Sequence, residues 1–190
     1  MLAYVFWHRP AAGVEAAEYE AASVRFQRSL ASQAPGGFIA STCLRAPALD
    51  WLGYGGAGYE DWYLVEDFAA LGVLNEAAIG RGHRTSHDAV AKLFGEGTGG
   101  VYALLDGMPS LERVSLASWI TPPPGGHQAL LDDFLADGID PQQASLWRRQ
   151  LALGPAPELC LLTGELTDGV HSTRLPHDWR AEVGTRVAVS

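Results

Sequence analysis

The stretch Leu2-Ala3-Tyr4-Val5-Phe6-Trp7-His8-Arg9-Pro10-Ala11-Ala12-Gly13 decides how the rest of the chain is read. Leu2–His8 is aromatic, β-branched or small, which is the composition of a strand. Arg9-Pro10 ends it, because proline has no N–H to give a ladder. Strand side chains alternate, so Tyr4, Phe6 and His8 point one way and Ala3, Val5 and Trp7 the other. Both sets are largely apolar, so both faces are expected to be covered.

Further on, Trp119-Ile120-Thr121-Pro122-Pro123-Pro124-Gly125 repeats the pattern W-x-x-P-x-x-G of Trp7–Gly13. In each copy a Trp packs, a Pro closes a strand and a Gly lets the chain turn into a helix. The match predicts a duplication.

The elements between the two copies agree with it. Glu15–Gln33 reads as a helix, with Tyr19, Ser23, Phe26 and Leu30 on one stripe beside Ala22. Phe38–Ala46 and Glu60–Glu66 read as strands around the Gly-rich loop Asp50–Gly58. Asp67–Ile79 and Ser86–Phe94 read as helices, with Asp67 capping the first and Thr85 or Ser86 the second. Gly95–Gly100 is expected to break the chain before a fourth strand at Val101–Leu105. The order is β-α-β-β-α-β, a ferredoxin-like unit. The second half gives strands at Arg113–Ile120, Leu146–Leu153, Glu158–Thr163 and Glu182–Val189, with one helix at Gly126–Ala136. The expected fold class is therefore α+β. It has two ferredoxin-like halves, residues 1–109 and a reduced 110–190, whose antiparallel sheets carry helices on their outer faces in one compact, barrel-like unit.

Composition removes several function classes. The net charge is −9 and Lys92 is the single lysine, so a phosphate-binding track is absent and nucleic acid is not an expected partner. No apolar run approaches the roughly 18 residues of a membrane span. Leu2–Trp7 lacks a basic flank, so a cytoplasmic location is expected. Cys43 and Cys160 stand far apart in apolar runs and read as buried thiols. Neither Gly53–Gly58 nor Gly95–Gly100 is followed by Lys-Ser/Thr, which excludes a P-loop.

The candidate site residues are His8, Arg9, Tyr63 and His83. His8 and Arg9 stand at the end of the first strand, where the second copy carries Ile120 and Thr121. Tyr63 lies in an aromatic and acidic strand, on a face with Asp61, Val65 and Asp67. His83 and His87 have the spacing of a zinc pair, but His83 falls ahead of the helix, so the shared face is lost. No metal is assigned.

Two ferredoxin-like units with facing sheets resemble the dimeric α/β-barrel superfamily, including branches such as the chlorite dismutase group, in which both units lie on one chain. The resemblance is one of arrangement and transfers no residue role. Three readings are carried forward, the first two from the resemblance and the third from the apolar content and the lack of a catalytic motif. The first is a small-molecule-binding protein of the cofactor-free monooxygenase or isomerase sort, with a pocket between sheet and helices near His8, Arg9, Tyr63 and His83. The second is a haem protein, with His8, His83 and His127 as ligands. The third is a non-catalytic interaction protein whose sheets serve a homodimer.

Overall fold

In the computed structural model, residues 1–53, 55–80, 82–111, 115–122, 132, 144–152, 154–164 and 180–189 are described. Strand β1 (Leu2–Pro10) continues past the expected stop to Pro10 itself. Helix α1 (Ala16–Ser32) follows and buries the expected stripe of Tyr19, Ala22, Ser23, Phe26 and Leu30. Strands β2 (Phe38–Ala46) and β3 (Gly58–Val65) flank a short 3-10 turn at Asp50–Leu52. Helix α2 (Phe68–Ala78) starts at Asp67, whose side chain accepts a hydrogen bond from the Ala70 N–H. Helix α3 (Arg84–Leu93) starts earlier than expected. Its N-cap position is His83 without a side-chain cap, and Ser86 Oγ donates back to the His83 carbonyl at 2.8 Å.

Strand β4 (Phe94–Gly107) corrects the expectation of a break at Gly95–Gly100. The glycines lie inside the strand because rings from β1 cross over them. A Cβ on Gly97 would sit 2.8 Å from Phe6 Cζ and from the Trp7 carbonyl, and one on Gly99 2.7 Å from Tyr4 Oη. Only glycine leaves that room.

The second half supplies β5 (Leu116–Thr121), β6 (Ala144–Ala152), β7 (Leu159–Thr163), β8 (Arg180–Thr185) and β9 (Val187–Ala188). The expected helix at Gly126–Ala136 lies outside the described residues apart from Asp132. Among the described residues, the nine strands form one sheet in the order β8-β5-β7-β6-β4-β1-β3-β2-β9, with antiparallel pairs throughout. The orders β4-β1-β3-β2 and β8-β5-β7-β6 follow one rule, that of a ferredoxin-like unit. The β4–β6 pair joins the two halves.

Strands β8 and β9 lie at opposite ends of this order, yet Arg186 alone separates them in the chain. The sheet is therefore curled into a nearly closed barrel. Its interior holds Trp7, Trp62, Trp119, Trp147 and Tyr102, all buried, with Ala3, Val5, Leu64 and Leu162. Trp7 and Trp119, the tryptophans of the two matching stretches, meet edge-on with ring centroids 5.1 Å apart.

The barrel also encloses an ion pair. Arg186 Nε and Nη2 donate to the two carboxylate oxygens of Glu60 at 2.7 and 2.8 Å, and both residues are buried. Trp62 Nε1 and Trp7 Nε1 donate to the same two oxygens at 2.6 and 2.9 Å. Arg186 Nη1 donates to the Gly184 carbonyl at 2.7 Å.

Removing one partner of a buried, hydrogen-bonded pair costs about 3–5 kcal/mol, because the other charge is left unpaired. Glu60→Gln is therefore expected to lower unfolding stability by that amount in urea titration. Glu60→Gln combined with Arg186→Met should recover part of the loss. A Glu60→Gln protein as stable as the parent would contradict this role.

Candidate functional site

The outer face of β1 builds one wall. Tyr4, Phe6 and His8 project from alternate positions toward the helices, with their rings in a ladder. Phe6 lies 6.2 Å from Tyr4 and 5.1 Å from His8, with interplanar angles of 17° and 20°. Phe94 continues the stack at 5.9 Å from Phe6. The glycines of β4 make this possible by leaving the sheet bare beneath the rings.

Between this face and the helices lies a cavity of about 740 Å³. Phe26 and Leu30 of α1, Leu71 and Leu74 of α2, and Val90 of α3 line it opposite the ladder. Phe68, Ile79, Phe94 and Leu151 line it too and are exposed, so they form its solvent-facing rim. No lysine or arginine is among the described residues that line it.

The polar groups gather at the inner end. His8 Nδ1 lies 2.7 Å from Tyr19 Oη, and His8 Nε2 lies 3.2 Å from Asp61 Oδ1. Tyr63 Oη donates to Asp61 Oδ2 at 2.7 Å, and Gln27 Nε2 donates to Tyr63 Oη at 3.2 Å. The His8 ring is also stacked on Tyr59 at 5.7 Å. Burial alone would raise the Asp61 carboxyl. The neighbouring His8, with hydrogen bonds from His8, Tyr63 and Cys43, outweighs burial and holds it below the usual carboxylate range. Burial, and then the Asp61 charge, push the Tyr63 hydroxyl and the Cys43 thiol well above their ordinary values. Tyr19 is raised by the same two causes.

Two of the four residues singled out from sequence, His8 and Tyr63, lie on the cavity wall. Arg9 does not line it and pairs with Glu96 across β1 and β4. His83 is buried behind α1, with its ring nitrogens 2.8 Å from Ser29 Oγ and 3.2 Å from the Gln33 carbonyl. Sequence reasoning did not single out Tyr19, Asp61 or Cys43, and it weighed His87 only as a zinc partner of His83. Asp61 left a usable signal, an ionisable residue in mid-strand on a face it shares with Tyr63 and Val65. Tyr19 left none, since a tyrosine on a helix stripe reads as core. His87 lines the cavity edge-on to Phe26 at 5.7 Å.

The haem expectation names His8, His83 and His127. His8 faces Tyr19 with one ring nitrogen and Asp61 with the other. His83 has both nitrogens engaged away from the cavity, and His127 lies outside the described residues. Of the two described histidines, His83 does not line the cavity, and His8 faces it with Asp61 beside its Nε2.

No family model matches the chain, and no curated protein matches it. Solved structures do. A monooxygenase-like protein from Fusobacterium nucleatum superposes with a TM-score of 0.63 at 7% identity, covering 100% of this chain and 92% of that one. An anthrone oxidase-like protein gives 0.54 at 9% identity, covering 100% and 93%. A chlorite dismutase-like protein gives 0.53 at 12% identity, covering 98% and 94%. These likenesses establish the fold, that of the ferredoxin-like α/β barrels. At such identities they carry no residue role.

Tyr63→Phe removes a donor from the buried Asp61 carboxylate. Leaving a buried charged acceptor short of a partner costs about 1–3 kcal/mol. The variant should unfold at lower urea concentration with an unchanged m-value. Unchanged stability would show that Asp61 does not depend on Tyr63.

Proposed function

We propose that this protein binds an uncharged, planar, apolar small molecule and acts on it as a monooxygenase-like or isomerase-like enzyme. One observation carries the reading: an aromatic ladder in a cavity lined by no lysine or arginine among the described residues, with its buried polar groups at the inner end and Asn75 and His87 toward the rim. Flat rings stack on flat rings with offset or tilted geometry, which suits Tyr4, Phe6 and Phe94. A phosphate or carboxylate would enter without a cation to meet it and would face Asp61, so charged substrates are disfavoured. A hydroxyl or ketone oxygen would rest at the inner end, within reach of Tyr19 and His8. The exposed apolar rim would admit such a molecule, and the helices would keep water from it.

In this reading His8 and Tyr63 belong to the reacting end. Arg9 and His83 hold their surroundings in place, Arg9 by fixing β1 to β4 and His83 by fixing α1 to α3. The anthrone oxidase-like neighbour makes anthrones and hydroxynaphthalenes the first compounds to try.

The test is a binding panel read by intrinsic fluorescence and calorimetry, followed by oxygen uptake. Hydroxynaphthalene and anthrone are expected to bind at least about tenfold tighter than naphthoate or naphthalenesulfonate, since an unpaired charge costs more than 1.4 kcal/mol. Phe6→Ala should weaken the neutral ligands. Anthrone should stimulate oxygen uptake or be isomerised. Equal or tighter binding of the anions, or no binding across the panel, would contradict the proposal.

A further inference from the structure

Three adjacent strands bring three different ligand types together at the inner end of the cavity. His8 comes from β1, Asp61 from β3 and Cys43 from β2. Cys43 stands directly across from Asp61 in the β2–β3 register, and His8 stands opposite Tyr59, two positions along from Asp61. One imidazole nitrogen, one thiol sulfur and one carboxylate oxygen lie within 4.8 Å of one another, and all three residues are buried.

The hydrogen bonding divides these atoms into two groups. His8 Nε2 and Asp61 Oδ1 face each other as an ion pair at 3.2 Å, sealed from solvent, and neither has a further hydrogen-bond partner. The remaining atoms of the same side chains are satisfied: His8 Nδ1 by Tyr19 Oη, and Asp61 Oδ2 by Tyr63 Oη, which Gln27 supports in turn. Metal sites divide their atoms in this way. The ligating atom of each side chain is left for the ion, and the other is fixed by an outer partner.

We propose that His8 Nε2, Cys43 Sγ and Asp61 Oδ1 form a three-ligand site for a thiophilic divalent cation of the zinc and cobalt class, with its fourth position open to the cavity. The donor set favours this class. Imidazole with thiolate suits zinc and cobalt, whereas calcium and magnesium take oxygen. Three protein ligands and one open position are the arrangement of a catalytic zinc centre. Charge also balances, because one carboxylate and one thiolate neutralise a dication. Cys43 would surrender its thiol proton to solvent as the ion binds. His8 and Asp61 line the cavity while Cys43 closes the site from behind, packed with Tyr19 and Tyr59. The inference departs from the cofactor-free chemistry expected from sequence. It rests on the geometry of the inner end and not on the identity of the substrate.

The test is titration of chelator-treated, full-length protein with cobalt chloride. The expected result is one equivalent bound, with a thiolate-to-cobalt charge-transfer band and the d–d bands of a tetrahedral ion, both removed by added zinc. Cys43→Ser should abolish the charge-transfer band. Asp61→Asn should weaken binding even where the serine variant folds poorly. Tyr63→Phe should retain the band and bind about 10–100-fold more weakly, the usual effect of losing an outer partner. Cys160→Ser serves as the control and should change nothing. No cobalt spectrum, or a spectrum that survives Cys43→Ser or disappears in Cys160→Ser, would overturn the site. Loss of binding to the aromatic panel with the cobalt spectrum intact would remove the substrate reading and leave the metal site standing.

Discussion

The barrel depends on the ion pair between Glu60 and Arg186. Glu60 takes two hydrogen bonds from the guanidinium and two from the indoles of Trp7 and Trp62, so both its oxygens are occupied. Arg186 lies over the Trp119 ring at 5.6 Å. A buried pair of this kind adds little net stability compared with apolar side chains of the same shape. Its effect is on geometry. Arg186 is the hinge between β8 and β9, and it reaches Glu60 only when the chain's last strands meet both ends of the sheet. The pair thus ties closure of the barrel to the register of β3.

That register also builds the site. Side chains alternate along a strand, so fixing Glu60 and Trp62 inward fixes Asp61 and Tyr63 outward. On β1, Trp7 inward fixes His8 outward, and the β1–β3 register sets His8 close to Asp61. A slip of one residue would carry Glu60 to the cavity and Asp61 into the tryptophan core. The ion pair inside and the cavity-lining charge of Asp61 outside are therefore neighbours in sequence, separated by the thickness of one sheet. The glycines of β4 belong to the same arrangement, since they let the outward rings of β1 lie flat and leave a cavity where side chains would otherwise fill the space.

Much of the fold was legible because it follows from local rules. The two-sided apolar alternation of Leu2–His8 identified a strand covered on both faces, and the stripe on α1 matched its burial. Asp67 was identifiable as a cap because its side chain serves the N–H groups next to it. The glycine run was misread because composition marks glycine as a breaker, while its function here is to accommodate rings from a strand far away in sequence. His8 and Tyr63, which line the cavity, were singled out from their strand positions. Asp61 was placed on the correct face but not selected, and Cys43 read as plain core, because a cluster drawn from three strands appears only once their registers are known. The ion pair was beyond sequence reasoning: Arg186 is one basic residue in a short tail, and nothing local connects it to Glu60.

The central claim is that the functional face is the outside of the sheet, with the barrel's interior serving as sealed core. Heteronuclear NMR of the protein with and without hydroxynaphthalene tests it directly, because indole N–H signals report the interior and the rings of Tyr4, Phe6 and His8 report the outer face. The account predicts shifts in those outer rings and in Phe26 and Phe94, with the indoles of Trp7, Trp62, Trp119 and Trp147 unmoved. Shifts centred on the four indoles, with the outer rings unchanged, would contradict it.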